Sequence, residues 1–114
     1  MARARKEQRF FKMSGSGNDF VVFSSAGAAQ LEEPSAIRAL SARGTGVGAD
    51  GVVFLEKAGR GDVRMRYYNS DGGEADLCGN ASLCSTRLAV ELGMAQAGGF
   101  VLHTAAGALK ARIR

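Results

Sequence analysis

The chain has 114 residues and a formal net charge of +4, and 46% of its residues are hydrophobic. This length suits one domain with a hydrophobic core and is too short for two. The basic excess lies at the two ends, since residues 1–9 and 110–114 together carry +6 and the intervening residues carry −2. A nucleic-acid-binding surface usually gathers Lys and Arg on one folded face beside aromatic side chains. The sequence does not show that pattern, so we expect no nucleic-acid partner.

The sequence also lacks the features of a membrane or secreted protein. No segment approaches the roughly 18 consecutive apolar residues of a membrane span, and the basic start lacks the apolar region of a signal peptide. We therefore expect a soluble cytoplasmic protein with no membrane partner, in which residues 1–7 form a mobile basic tail and residues 8–114 form the domain. Cys78 and Cys84 make no disulfide framework, and no cluster of cysteines or histidines predicts a metal site.

Two strands joined by a glycine-rich loop are predicted near the amino terminus. Residues 9–13 and 20–23 are rich in Phe and Val and should pair as a hairpin. In the loop between them, Gly15 and Gly17 would let a ligand approach the backbone closely. Asn18 offers both a hydrogen-bond donor and an acceptor, which suits a zwitterionic amino acid. The alternative is an ordinary hairpin turn, and the residues of this loop alone favour that alternative.

A helix is predicted over residues 34–43, followed by a loop that contains Gly44, Gly51 and two glycines between them. The loop has the composition of a dinucleotide-binding fingerprint, but such a fingerprint should follow a strand and open a helix. This loop follows a helix and opens the strand 52–56, so the sequence excludes that interpretation. We expect Asp50 to fix the loop by bonding to backbone amides.

A predicted strand over 63–69 ends in an Asn-Ser-Asp-Gly-Gly turn, and a predicted helix covers residues 80–93. Cys78 therefore lies at or just before the start of a helix. Backbone N–H groups without intrahelical partners favour a bound anion and a thiolate there. One hypothesis is a carboxylate ligand held by the amides of Gly79 and Asn80 beside a reactive sulfur. The alternative is that these two residues only cap the helix and that the thiol is structural.

The remaining pattern favours structural roles. Cys84 lies six residues along the helix from Cys78, about 240° around and about 9 Å along its axis, so both sulfurs should not flank one carbon and Cys84 is expected in the core. His103 alternates with its neighbours in a strand and is expected at the surface. With strands on both sides of one apolar helix, we predict an α/β (α+β) fold in which a curved, mainly antiparallel sheet wraps around a central helix.

Three segments of the chain resemble, in order and spacing, motifs of the amino-terminal half of diaminopimelate epimerase. They are residues 11–20 (FKMSGSGNDF), 43–51 (RGTGVGADG) and 68–80 (YNSDGGEADLCGN). The tail FVLHTAAGALKARI also resembles the strand, turn and strand that follow the helix in that family. The resemblance implies two similar α/β domains with the active site between them, of which this chain is the first.

The resemblance also implies an activity. Enzymes of this family epimerise LL-2,6-diaminopimelate to the meso form, for lysine and peptidoglycan synthesis, without a cofactor and with one catalytic cysteine from each domain. On this basis Cys78 is the catalytic residue, and the small amino-acid substrate is bound by Asn18, Asn69, Gly79 and Asn80. The other half of the site must come from a missing carboxy-terminal domain or from a second copy of the chain, so we expect the isolated chain to be inactive.

The chain departs from the family pattern at two places. After Cys-Gly-Asn the family usually continues Gly-x-Arg-Cys, whereas this chain has Ala81 and Leu83 in place of the glycine and the arginine. Some family members have a glutamine after the aspartate of the second motif, where this chain has Gly51. These departures keep an alternative open, in which the chain is a truncated or diverged non-catalytic paralogue that acts as an amino-acid-binding or association module.

Overall fold

The computed structural model of the chain describes residues 8–15, 17–24, 26–75 and 79–113. Seven strands, two α-helices and one 3-10 helix lie in these ranges. In chain order they are β1 (Phe11–Gly15), β2 (Asn18–Phe23), the 3-10 helix (Ala26–Leu31), α1 (Pro34–Ser41), β3 (Gly51–Lys57), β4 (Val63–Asn69), β5 (Glu74–Ala75), α2 (Gly79–Glu91), β6 (Phe100–Thr104) and β7 (Gly107–Ala111).

All seven strands form one sheet, in the order β1-β2-β3-β4-β6-β7, with β5 paired to the end of β4. The β2–β3 and β4–β6 pairings are parallel, and the other four are antiparallel. Parallel neighbours need a long crossover connection. The first crossover contains the 3-10 helix and α1, and the second contains β5 and α2. The predicted curved, mainly antiparallel sheet of a mixed α/β fold is confirmed.

The two helices pack on opposite faces of the sheet. On one face α2 contacts β1, β2, β3 and β4, and on the other face α1 contacts β3. The middle strands therefore bury both of their faces: Phe20 and Val22 belong to the core under α2, whereas Val21 and Phe23 belong to the core under α1. Burial on both faces explains why residues 20–23 of β2 and 52–55 of β3 are continuous apolar runs that do not alternate with polar residues.

The start of α1 is capped by a side chain. Glu33 precedes the helix, and its carboxylate accepts a hydrogen bond from the Ala36 backbone N–H at 2.5 Å. Pro34 occupies the first turn, where a missing N–H has no cost. The helix ends at Ser41, two residues before the end that the sequence predicts. The loop that follows it turns back toward β3, and this return sets the position of Asp50.

Within the ranges given above, no helix is both long enough and apolar enough to cross a membrane. His103 lies on β6 with its side chain 40% exposed, and its Nε2 is 3.8 Å from an Asp62 carboxylate oxygen. This position agrees with the surface location expected from the sequence.

Candidate functional site

Four segments that are distant in sequence meet at one end of the sheet. They are the turn between β1 and β2, the residue before β3, the last residue of β4 and the first turn of α2. Because β2 and β3 are parallel, Gly51 at the start of β3 lies beside Phe20, two residues after the start of β2. Because β4 is antiparallel to β3, its last residue, Asn69, lies opposite Gly51 at the start of β3. The pairing of the strands therefore gathers the three sequence motifs at one place.

The centre of this site is a pair of asparagine side chains. Asn80 Nδ2, on α2, donates a hydrogen bond of 2.6 Å to Asn18 Oδ1 at the start of β2. Asn18 Nδ2 in turn donates to Asp50 Oδ2 at 3.2 Å. Both asparagines are half-buried. The structure thus brings together two of the predicted substrate-binding residues and attaches them to a carboxylate.

Asp50 and Asp19 hold each other in place. The Asp19 backbone N–H donates to Asp50 Oδ2 at 3.0 Å, and the Asp50 backbone N–H donates to Asp19 Oδ1 at 3.0 Å. The bond from the Asp19 amide confirms that Asp50 fixes its loop through the backbone. Asp50 also accepts a hydrogen bond from the Asn18 side chain, a contact that was not predicted from the sequence.

Two cations neutralise Asp19. Arg43 makes a two-pronged contact, with Nη1 at 3.0 Å from Asp19 Oδ2 and Nη2 at 2.8 Å from Oδ1. Lys12 Nζ lies 3.2 Å from Asp19 Oδ2 and also bonds to the Gly48 carbonyl. The Arg43 hydrogen bonds are the largest cause that holds the pKa of Asp19 far below its usual value, and the same pairing raises the pKa of Arg43.

Sequence reasoning missed this charged group. A signal was present, because Lys12, Asp19, Arg43 and Asp50 all lie inside the first two motifs. Their opposite charges could pair only if the two motifs were neighbours. That condition depends on the parallel pairing of β2 with β3, which local patterns do not reveal.

Asn69 lies at the same end of the sheet but takes no part in the asparagine pair. Its backbone N–H donates to the Gly73 carbonyl at 2.9 Å, and its carbonyl accepts from the Gly72 N–H at 2.9 Å, which closes the turn after β4. Its side chain is exposed. Among the described residues, no side chain contacts Asn69 by a hydrogen bond, so its substrate-binding role stays a prediction.

The start of α2 is uncrowded among the described residues. A Cβ atom on Gly79, the first residue of the helix, would meet none of their atoms within 4 Å. A groove of about 400 Å³ begins there and runs between α2 and β7. It is lined by Gly79, Ser82, Leu83, Thr86, Leu102 and residues 109–112. Cys78, the predicted catalytic residue, lies outside the described residues, so its role stays a prediction.

Cys84 lies in the core beneath the glycine-rich loop, as the sequence predicts. It is buried in the cluster under α2, and its Sγ lies 3.0 Å from where a Cβ on Gly15 would be. Gly15 therefore has a packing role in addition to the ligand access expected from the sequence. A side chain at this position would push the loop away from α2. Gly17, with φ 90°, has open space around it.

A second polar group lies on the opposite face of the sheet, under the 3-10 helix and α1. Arg66 bonds to Glu32 at 2.5 and 2.8 Å and to Glu56 at 2.5 Å, and Tyr68 also donates to Glu32. Burial opposes ionisation of Glu32, but the Arg66 and Tyr68 hydrogen bonds outweigh it and lower its pKa. Burial, followed by the bond to Glu32, raises the pKa of Tyr68. These contacts tie the 3-10 helix to β4.

No group of three or more histidine, cysteine or carboxylate side chains suited to a metal ion lies in the described part of the chain. The polar groups at the end of the sheet are instead amides, carboxylates, two cations and the N-terminal turn of a helix. Amides and helix N–H groups recognise the carboxylate and ammonium groups of an amino acid by hydrogen bonding.

Comparison with known proteins agrees with the motifs. The family model for diaminopimelate epimerase matches residues 10–114. Diaminopimelate epimerase of Gemmatimonas aurantiaca is 50% identical over 107 residues, which are 91% of this chain and 39% of that protein. Diaminopimelate epimerase of Archaeoglobus fulgidus is 47% identical over 89 residues, which are 75% of this chain and 32% of that protein. The chain thus spans 32–39% of the length of these two relatives.

Structural comparison shows the same fold at lower sequence identity. A hydroxyproline epimerase from Agrobacterium vitis, solved with bound trans-4-hydroxy-L-proline, superposes with a TM-score of 0.61 at 24% identity. The superposition covers 89% of this chain and 35% of that one. The motifs gathered at the end of the sheet, the family match over residues 10–114 and the shared fold lead to one conclusion: the chain belongs to the diaminopimelate epimerase family.

Proposed function

We propose that this chain supplies one half of a cofactor-independent epimerase that converts LL-2,6-diaminopimelate to the meso form. The observation that carries the proposal is the meeting of Asn18, Asn80 and the open start of α2 at one end of the sheet. The family match supplies the substrate class. In the organism, this activity would serve lysine synthesis and the supply of a peptidoglycan precursor.

The chemistry requires a base on one face of the α-carbon and an acid on the other. In the proposed reaction, the Cys78 thiolate takes the α-hydrogen as a proton and becomes a thiol, leaving the electron pair on the carbon. A second thiol on the opposite face then gives its proton to that carbon, so the configuration inverts with no net oxidation. The direction reverses when the two sulfurs exchange protonation states, and no external oxidant or reductant is needed.

The chain's contribution is to bind the α-carboxylate while negative charge develops beside it. Backbone N–H groups at the start of α2, at Gly79 and Asn80, would donate hydrogen bonds to the carboxylate and stabilise enolate-like charge. Each preorganised donor of this kind is typically worth about 100- to 1000-fold in rate. The helix start would also favour the thiolate form of the adjacent Cys78.

The second base must come from outside this chain. Cys84 is buried beneath the glycine-rich loop and is not open to the groove at the start of α2. The chain also spans only 39% of its Gemmatimonas aurantiaca relative. We therefore propose that a carboxy-terminal domain, or a second copy of the chain, completes the site and supplies the second thiol.

A second candidate function is a non-catalytic amino-acid-binding or association module. Two residues of α2, which follow the Cys-Gly-Asn motif, favour this candidate. Ala81 is fully buried where the family pattern has glycine, and Leu83 is 70% exposed where the pattern has arginine. An exposed leucine in place of a cation removes a charged contact from the helix start and provides an apolar one.

The two candidates differ in their response to LL-diaminopimelate in deuterated water. We expect the chain alone to give no measurable inversion, and we expect a chain joined to a matching carboxy-terminal domain to incorporate α-deuterium and form the meso isomer. Cys78→Ala should abolish both, whereas Cys84→Ala should leave inversion largely intact. Inversion that survives Cys78→Ala would contradict the assigned base. Binding without deuterium incorporation in the joined protein would favour the non-catalytic module.

A further inference from the structure

Asp50 is held by contacts on every polar group that it has. Its Oδ2 accepts from the Asn18 side chain and from the Asp19 backbone N–H, and its Oδ1 lies 3.4 Å from Arg43 Nη2. Its own backbone N–H donates to Asp19, and its carbonyl accepts from the Ser70 N–H at 3.1 Å. The carboxylate therefore cannot rotate without breaking several hydrogen bonds at once.

A carboxylate that cannot rotate determines which way its partner amide faces. An ionised carboxylate only accepts hydrogen bonds, so Asn18 must present its NH2 group to Asp50. The Asn18 carbonyl oxygen is then directed to the other side, where Asn80 must donate through Nδ2. The direction of hydrogen bonding along the Asp50–Asn18–Asn80 relay thus follows from the acceptor oxygen that Asp50 presents to Asn18.

We propose that Asp50 is a positioning residue that sets the hydrogen-bonding direction of the Asn18–Asn80 pair. The consequence is at the far end of the relay. With its NH2 group donated to Asn18, Asn80 has its Oδ1 available as an acceptor at the start of α2, and no described residue bonds to that oxygen. If the pair faced the other way, the same place would present an NH2 donor.

The direction matters for ligand recognition, and this step rests on the proposed function. An amino acid offers an ammonium group, which only donates, beside a carboxylate, which only accepts. Backbone N–H groups at the start of α2 suit the carboxylate, and a carbonyl oxygen on Asn80 suits the ammonium group. Asp50 would therefore select the zwitterion without touching it.

Three variants distinguish the positioning role of Asp50 from a general effect of substitution on stability. Asp50→Asn keeps one acceptor oxygen at the Oδ2 position, to which both Asn18 and Asp19 donate, and should keep the direction of the relay. Asp50→Leu has the same branched shape with bulkier methyl groups and no acceptor, and should leave the Asn18 amide without a fixed direction. Glu74→Leu makes the same kind of change at an exposed acid on β5 with no hydrogen bond to the relay, and serves as the matched control.

The direction can be measured by NMR on the 114-residue chain without any ligand. Scalar couplings across hydrogen bonds identify the donor nitrogen and the acceptor carbonyl carbon. We expect a coupling from Asn80 Nδ2 to Asn18 Cγ and one from Asn18 Nδ2 to Asp50 Cγ. Both should persist in Glu74→Leu. The first should persist in Asp50→Asn and be lost in Asp50→Leu.

The measurement on the unaltered chain can overturn the proposal even where Asp50→Leu fails to fold. A coupling from Asn18 Nδ2 to Asn80 Cγ would overturn the proposal, as would an unchanged Asn80-to-Asn18 coupling in a folded Asp50→Leu variant. Titration with LL-diaminopimelate adds an independent readout, in which Asp50→Leu should bind about tenfold more weakly and Asp50→Asn within about twofold of the parent. Couplings as expected with no binding to any variant would count against the proposed substrate and leave the positioning role supported.

Discussion

Gly51 shows how one residue at the site is fixed by its neighbour. A Cβ on Gly51 would lie 2.5 to 2.7 Å from three atoms of the Tyr67 side chain, two in the ring and the hydroxyl oxygen. That ring is buried and makes an edge contact with Phe20, with centroids 5.9 Å apart, so it has little room to move. The glutamine found here in some family members has no space in this chain, because Tyr67 occupies it.

We therefore expect Gly51→Ala to destabilise the chain by about 1–3 kcal/mol, the usual cost of overpacking a core. Urea unfolding followed by circular dichroism measures the change. Gly98→Ala is the matched control, because a Cβ there meets nothing within 4 Å and its φ is not in the left-handed region. An equal effect of the two substitutions would show that the Tyr67 contact is not the cause.

The Asp19 carboxylate makes the stability of the folded chain depend on pH. Its pKa is lowered in the folded chain, chiefly by the Arg43 hydrogen bonds, so its ionised form favours folding. That contribution is fully present above the usual Asp pKa of about 4 and is lost as pH falls through the lowered pKa.

An Arg43→Met variant should accordingly be less stable than the parent at pH 7, and the difference should shrink as pH falls below about 4. Unfolding free energies at a series of pH values give the difference. Arg87→Met, on an exposed arginine for which the described residues offer no ion pair, should show a small difference that does not depend on pH. A constant gap between the parent and Arg43→Met down to pH 2 would contradict the assigned pairing.

At the scale of elements, α2 carries a polar group in its buried face. Ser85 is completely buried, and its hydroxyl has no hydrogen-bond partner among the described residues. Burying an unpaired hydroxyl is unfavourable, and alanine has the highest helix propensity. The helix is thus held by its apolar contacts with β1–β4 despite this residue.

We expect Ser85→Ala to leave stability unchanged or to raise it by about 1 kcal/mol. Thr86→Ala is the control, because the Thr86 hydroxyl donates to the Ser82 carbonyl at 2.9 Å and its loss removes a bond. Thermal unfolding of the two variants side by side measures the contrast. A clear loss of stability in Ser85→Ala would mean that the hydroxyl is bonded in solution.

At the scale of the whole molecule, the groove between α2 and β7 leaves apolar surface uncovered. Leu83 is 70% exposed and Leu109 is 37% exposed on its two sides. Exposed apolar surface of this kind is typical of an interface. The chain spans about a third of the length of its Archaeoglobus fulgidus relative. Without a partner on this surface, we expect the chain to associate with itself or to be only marginally stable.

We expect Leu83→Lys to weaken self-association of the 114-residue chain by about tenfold, because a charge would be buried at the contact. Analytical ultracentrifugation over a range of concentrations measures the association. Leu92→Lys changes a residue that is 38% exposed and does not line the groove, and it should leave association within about twofold of the parent. A parent chain that stays monomeric and melts cooperatively at every concentration would contradict the expectation.

The sequence by itself determined the elements and the family. Apolar periodicity, turn residues and cap residues act over a few positions, so β1–β4, α1 and α2 could be predicted to within a few residues. The motifs are likewise continuous segments and could be compared with a family directly. Two short elements were missed. The 3-10 helix over Ala26–Leu31 lies between the strand predicted over residues 20–23 and the helix predicted over 34–43, and β5 has only two residues. Both lack a periodic apolar pattern long enough to be recognised.

Only the tertiary structure decided which polar groups meet. The Asn18–Asn80 bond joins residues 62 apart in sequence, and the Asn18–Asp50 bond joins residues 32 apart. Such contacts depend on the two parallel pairings and on the packing of α2 across the sheet. The same is true of the Arg43–Asp19 pair and of the exposed side chain of Asn69. Hydrogen bonds and close ion pairs form only when the fold brings the groups into contact, so the sequence names the groups and the fold sets the distances between them.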